Sequence, residues 1–397
     1  MRGLVREIDG LRGIAILFVM LHHFWPPGGP LAAAEDVAHL GWIGVDLFYV
    51  LSGFLITGIL LDTRGEPRYF RNYLARRALR VFPLYYLVLA AAFIVFPLVE
   101  GGPWAQTEFV RSSGSPLWYV FYLGNLREAI FGTEPAYVLA ILWSLSIEEQ
   151  FYLSFPFVVA FLSRRALTRL LCGLLVFAPL FRLAMLLAVP SNERIQYLGT
   201  LSRLDVLALG GLLALYYRSP ASAVSSPARR RALGGALLAL IAAMTAAFLL
   251  DGLDRLLWFC RVFGYSLVGL TMITALFWTL EHRGTRWTAP LRWGPLCALG
   301  KICYGVYLLQ RPSEVVLNKL LPHAGITPDE NAVWMLFAKC GFAVAVATAS
   351  WFVFEKPILG LKRFFASKAH PSLASDAAPA ASDDRHDSQP PRLRASA

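Results

Sequence analysis

Charge is what this chain has least of: Asp, Glu, Lys and Arg make up 16% of its 397 residues, where soluble domains carry about a quarter. Hydrophobic residues reach 57%, mean hydropathy is +0.54, and no long polar stretch divides the apolar runs between about residues 13 and 355. These shortages exclude water as the main solvent and a pair of soluble domains as the architecture. Cysteine is scarce too. Cys172, Cys260, Cys297, Cys303 and Cys340 are odd in number, form no CxxC pair and lie in or beside apolar segments, so neither a disulfide framework nor a metal site is indicated. The first apolar run is not followed by a clear small-residue cleavage site, and Arg12 adjoins it, which favours a retained helix over a signal peptide.

What is present is a series of apolar segments of about 20 residues, each enough to cross roughly 30 Å of hydrocarbon. They lie near 9 to 26, 41 to 61, 80 to 99, 141 to 162, 167 to 188, 200 to 217, 232 to 250, 258 to 280, 295 to 320 and 334 to 354. Pro116 to Leu126 is apolar but short, and reads as a re-entrant or interfacial stretch. The net charge of +11 is distributed unevenly over the loops. Alternate loops hold Arg64 to Arg80, Arg164 to Arg169, Arg218 to Arg231 and Arg283 to Arg292, whereas Pro26 to Leu40 holds no cation and Pro190 to Gly199 only Arg194. Cytoplasmic loops keep the excess of Lys and Arg, so both termini are predicted cytoplasmic. The expected fold is all-α, a polytopic integral membrane protein of about ten transmembrane helices. It forms one membrane domain over residues 1–366, followed by a disordered cytoplasmic tail over 367–397 that is rich in Ala, Ser, Pro and charge. Membrane lipid, rather than nucleic acid, is the partner this basic balance implies.

An ionisable side chain at the bilayer centre costs about 2.5 to 3.5 kcal/mol on the lenient insertion scale, so each one calls for a reason. Arg12 and His23 are eleven residues apart and therefore share a helix face, roughly 16 Å apart along the axis. Asp9 precedes Arg12 by three, and His22 points elsewhere. Asp46, Glu148, Glu149, Arg203 and Asp205 are expected near the depth of His23. A histidine beside carboxylates suits general base catalysis. Interhelical ion pairing, such as Arg203 with Glu148, is the alternative reading of the same residues. At the inner side Arg77 and Arg80 share a face and suit a phosphorylated donor such as an acyl-coenzyme A, although basic residues at a cytoplasmic helix end also serve topology.

Several strings, in order over about residues 7 to 357, resemble the acyltransferase-3 family of membrane O-acyltransferases. They are Ile8-Asp9-Gly10-Leu11-Arg12-Gly13 with His23, the run from Gly44 to Leu55 containing Asp46, the pair Arg77 and Arg80, Trp143 to Tyr152, Gly300 to Leu308, and Phe354-Glu355-Lys356-Pro357. The resemblance implies Arg12 and His23 as the catalytic pair, Arg77 and Arg80 at the acyl donor, and a functional glutamate at Glu149 or Glu148. One departure is late in the chain. Where such proteins often read Tyr-Leu-x-His, this one has Tyr307-Leu308-Leu309-Gln310, and glutamine does not titrate as histidine does.

The expected activity is transfer of an acyl group, acetyl first among them, from cytoplasmic acyl-coenzyme A to a hydroxyl of a sugar, glycolipid or glycosylated small molecule, in the inner (cytoplasmic) membrane. Acetyl-coenzyme A is then a co-substrate, with no tightly bound cofactor. His23 acts as base, while Asp9 and Arg12 hold the first helix or line the path. A polytopic proton-coupled carrier is the competing reading; it predicts an internal repeat, and no convincing one is present.

Overall fold

The computed structural model describes residues 6–95, 112–222, 225–250 and 257–365, and every regular element among them is helical. In lipid each backbone N–H and C=O must be satisfied within its own segment, which leaves apolar runs of this length little alternative to helix. Ten helices form the body: α1 (Arg6–Phe24), α2 (Ile43–Thr63), α3 (Tyr69–Ala90), α4 (Leu142–Phe161), α5 (Arg164–Ala188), α6 (Leu204–Tyr216), α7 (Pro227–Leu249), α8 (Tyr265–Glu281), α9 (Gly294–His323) and α10 (Val333–Ser350). Each apolar segment of the sequence falls on one of them. The helical stretches holding α2, α3, α5, α7, α8 and α10 are long and apolar enough to cross a membrane. Helix α6 has only 13 residues. Pro116 to Leu126 breaks into parts of two short helices, Leu117–Val120 and Gly124–Phe131, neither able to span. The tail expected from residue 367 lies outside the described residues.

Glycine lets α9 approach α1, and α6 approach α2, backbone to backbone. A Cβ on Gly300 of α9 would fall 1.9 Å from the Asp9 carbonyl oxygen and 3.0 Å from the Gly13 nitrogen of α1. One on Gly53 of α2 would fall 2.1 Å from the Leu207 oxygen of α6, and one on Gly210 of α6 2.2 Å from the Val50 oxygen of α2. Small residues at such crossings let dispersion and weak polar contacts hold helices together where lipid supplies no hydrophobic drive. The centre of the bundle is therefore α1 against α9 and α2, with α2 against α6. Around it α5 packs on α6, α8 on α6 and α2, and α10 on α9. Helix α7 touches the body mainly through α8 and has no buried residue, with Leu238 and Ile241 exposed as lipid-facing side chains would be.

Candidate active site

Helices α1, α2, α3, α4 and α9 line a cavity of about 850 Å³. One end is bordered by Asp62, Glu66, Arg76, Arg218 and Lys362, beside the arginine-rich loops. At the other end are Tyr49, Ser144 and Tyr307. There the Tyr307 hydroxyl donates to the Ile141 carbonyl at 2.9 Å and is hydrogen-bonded to Ser144 Oγ, while Tyr49 donates to the Ser144 carbonyl at 3.2 Å. Between the two ends lie Arg12, Ser52, Arg77, Arg80 and Glu148.

The middle of the cavity holds a connected polar group. The Arg77 guanidinium carbon is 3.7 Å from the centre of the Tyr152 ring, within cation–π range. Tyr152 donates to Glu148 Oε2 at 3.0 Å, Ser52 Oγ donates to Glu148 Oε1 at 2.9 Å, and the two hydroxyls are 2.6 Å apart. Arg12 pairs with Asp9 at 3.4 Å on the α1 wall. Consecutive helix residues diverge by 100°, so Glu149 turns away from this cavity and lines a smaller one on the other side of Arg77 and Tyr152. It is 1% exposed, lies beside Leu74, Phe82 and Leu153, and its Oε1 has no hydrogen-bond partner among the described residues. Of the two glutamates the sequence left open, Glu148 is the one on the cavity.

Geometry redraws the division the sequence suggested, in which the arginines stood at an inner entrance and the carboxylates gathered near His23. Arg77 and Arg80 lie eight and eleven residues inside α3, and Glu148 lies six inside α4, so they meet midway in the cavity that Arg12 also lines. His23 is not among the lining residues. Its Nδ1 sits 3.2 Å from Gln310 Oε1, and its ring is 5.2 Å from that of His22. The remaining expected residues are paired across helices. Arg203 binds Asp46 at 2.7 Å with both side chains fully buried, and Asp205 binds Arg182 at 3.0 Å and Ser266 at 2.6 Å. Arg203 therefore pairs with Asp46 and not with Glu148, and this cluster joins α2, α5, α6 and α8 rather than facing the cavity. Arg182 escaped the sequence reading, although an arginine inside the apolar run of α5 was itself the signal. Ser52, Tyr152 and Tyr307 escaped because hydroxyls carry no insertion cost large enough to single them out.

Outside the spans, Glu128 of the short helix Gly124–Phe131 is 3% exposed. Burial pushes its carboxyl up to about 8, against the downward pull of Arg194 and Arg127. An unfolded glutamate gives up its proton near 4.5, so between about pH 4.5 and 8 the folded state binds more protons and stability falls as pH rises. Glu128→Gln removes that loss. Thermal unfolding in detergent should show the variant gaining on the parent from pH 5 to pH 8; equal slopes would contradict this account.

The sequence pattern of the acyltransferase domain, acyltransferase 3, matches residues 5–352. The chain belongs to that family. Membership in the acyltransferase-3 family agrees with a polytopic membrane body and with a cavity built from the very strings that carry the resemblance. Among similar proteins, the putative peptidoglycan O-acetyltransferase YrhL of Bacillus subtilis is 28% identical over 370 residues, 88% of this chain and 54% of that protein. O-acetyltransferase OatA of Staphylococcus aureus is 27% identical over 382 residues, 90% of this chain and 58% of its own length. Peptidoglycan O-acetyltransferase OatA of Listeria monocytogenes is 26% identical over 378 residues, covering 90% and 56%. The chain thus spans little more than half the length of these relatives. No solved structure matches it.

Proposed function

We propose that this acyltransferase-3 protein transfers an acetyl group from cytoplasmic acetyl-coenzyme A to a sugar hydroxyl of the cell envelope. Peptidoglycan is the first acceptor to test, because the similar proteins are named for it. In this reading ten helical segments, α6 together with the turn Thr200–Arg203 that leads into it, cross the inner membrane with both termini cytoplasmic, and the arginine-rich loops surround the donor's entrance. The observation that carries it is the cavity, which runs past Arg12, Arg77 and Arg80 and ends at Tyr307, one helical turn before the Gln310 that holds His23. Guanidinium groups suit the donor's phosphates. The narrow pantetheine arm would carry the thioester toward the Tyr307 end. There His23 takes the proton of the acceptor hydroxyl while its oxygen forms a bond to the thioester carbonyl. The carbon–sulfur bond then breaks, and the thiolate leaves with the proton from His23.

Membranes carrying the protein, supplied with acetyl-coenzyme A labelled in the acetyl group, should pass label to peptidoglycan or another envelope glycan. Arg80→Met should raise the donor KM about tenfold or more, since a charge-assisted phosphate contact contributes about 1.5 to 3 kcal/mol. Label that stays on the donor would favour a carrier, and an unchanged KM would remove Arg80 from the donor site.

A further inference from the structure

Gln310 is where this chain departs from the late motif of the family it resembles, and it is also the residue in contact with His23. It is fully buried on α9, donates to the Tyr307 carbonyl and contacts His23. Its Nε2 lies 3.1 Å from the Tyr307 carbonyl oxygen, an acceptor only, so that side of the amide is the NH₂ group. The amide oxygen consequently faces His23, 3.2 Å from Nδ1. An amide oxygen cannot donate, so Nδ1 must carry the hydrogen of this contact. A neutral imidazole has one N–H, and the lone pair is then on Nε2.

We infer that Gln310 is a positioning residue that fixes His23 as the Nδ1–H tautomer and so makes Nε2 the atom that accepts the acceptor's proton. The inference rests on the reading of His23 as general base. Tyr307 makes the arrangement more than local. Its side chain closes the donor cavity while its carbonyl orients the amide that orients His23, so both ends of the proposed reaction are referred to one turn of α9. A neutral amide sets the tautomer without adding charge, whereas a carboxylate in its place would also stabilise the imidazolium. Titratable and charged groups on the elements packed against this end of α1 include His22 on α1 itself, His39 with Glu35 in the connection that follows it, Asp46 paired with Arg203, and Glu314 of α9 paired with both Arg311 of α9 and Lys339 of α10, the lysine also meeting Glu330. Gln310, which does not titrate, holds its amide oxygen 3.2 Å from His23 Nδ1.

The test compares acetyl transfer to the envelope glycan and to water across pH for the parent, Gln310→Met, Gln310→Glu and His23→Ala, in membranes holding matched amounts of protein. Gln310→Met keeps the length and volume but not the acceptor; it should lower kcat by about tenfold or more and leave the donor KM unchanged. Gln310→Glu keeps an acceptor and adds charge; it should retain kcat near its optimum while the rate's fall on the acid side starts about one pH unit higher or more. Nitrogen-15 spectra of histidine-labelled protein supply a readout free of turnover, with the His23 signals assigned by their loss in His23→Ala and Nδ1 as the protonated nitrogen in the parent. Full activity and an unchanged tautomer in Gln310→Met would overturn the role of Gln310, as would a Gln310→Glu profile that superimposes on the parent's. If His23→Ala transferred acetyl at the parental rate, the base assignment itself would fall, an outcome distinct from either of those.

Discussion

His23→Ala is expected to lower acetyl transfer by about 10²- to 10⁴-fold, the range that a positioned general base contributes, while donor KM stays within about twofold. The split follows from the structure. Arg12, Arg77 and Arg80 line the cavity proposed to take the donor and His23 does not, so removing the imidazole leaves that surface intact. Release of labelled coenzyme A product, measured with and without acceptor at several donor concentrations, checks both halves. A fall in rate that arises entirely from a raised KM would place His23 in donor binding. A parental rate would remove it from the mechanism.

Arg203→Met is expected to be the most damaging single change to the fold, at about 3 to 5 kcal/mol, because it leaves the Asp46 carboxylate buried without its counter-charge. Both side chains are fully buried, and the Arg203 guanidinium also lies 4.4 Å from the Tyr265 ring centre, so the loss reaches α8 as well as α2 and α6. The double variant Arg203→Met with Asp46→Leu should recover most of the stability, since well-packed apolar replacements of a buried pair are often neutral or better. Thermal unfolding in one detergent across the parent, both singles and the double decides it. Additive losses would show that the two residues act independently, against the pairing at 2.7 Å.

Helix placement was legible in the sequence because insertion into lipid imposes one physical rule on every segment: an apolar run of the right length. All ten runs became helices. The short stretch before α4 was set apart by the same rule, from its lack of length, and forms two short helices. Side-chain partnership followed no such rule. Depth along a helix can be counted from its ends, but rotation relative to a neighbour cannot, and rotation is what sends Glu148 to the cavity and Glu149 away from it. Likewise Asp46, Arg203 and Asp205 were grouped by depth, yet only the packing of α2, α5, α6 and α8 shows Arg203 held by Asp46 and Asp205 by Arg182 and Ser266. Arg77 and Glu148 were separated by counting from opposite ends of different helices, and the packed bundle brings them to one cavity. Gln310 illustrates the converse. As a letter in a motif it was a missing histidine; in space it is the contact that gives His23 a direction.

The Gly300 crossing gives α1 and α9 the character of two rulers pinned at a common mark. Gly13 meets Gly300 at the pin, and counting ten residues along each helix arrives at His23 on one and Gln310 on the other. Both advance about 1.5 Å per residue, so the same ten steps carry each ruler about 15 Å. The 3.2 Å contact at the far end is thus a graduation read off the near one, and alignment of the proposed proton acceptor is calibrated by two glycines on the opposite half of the bundle.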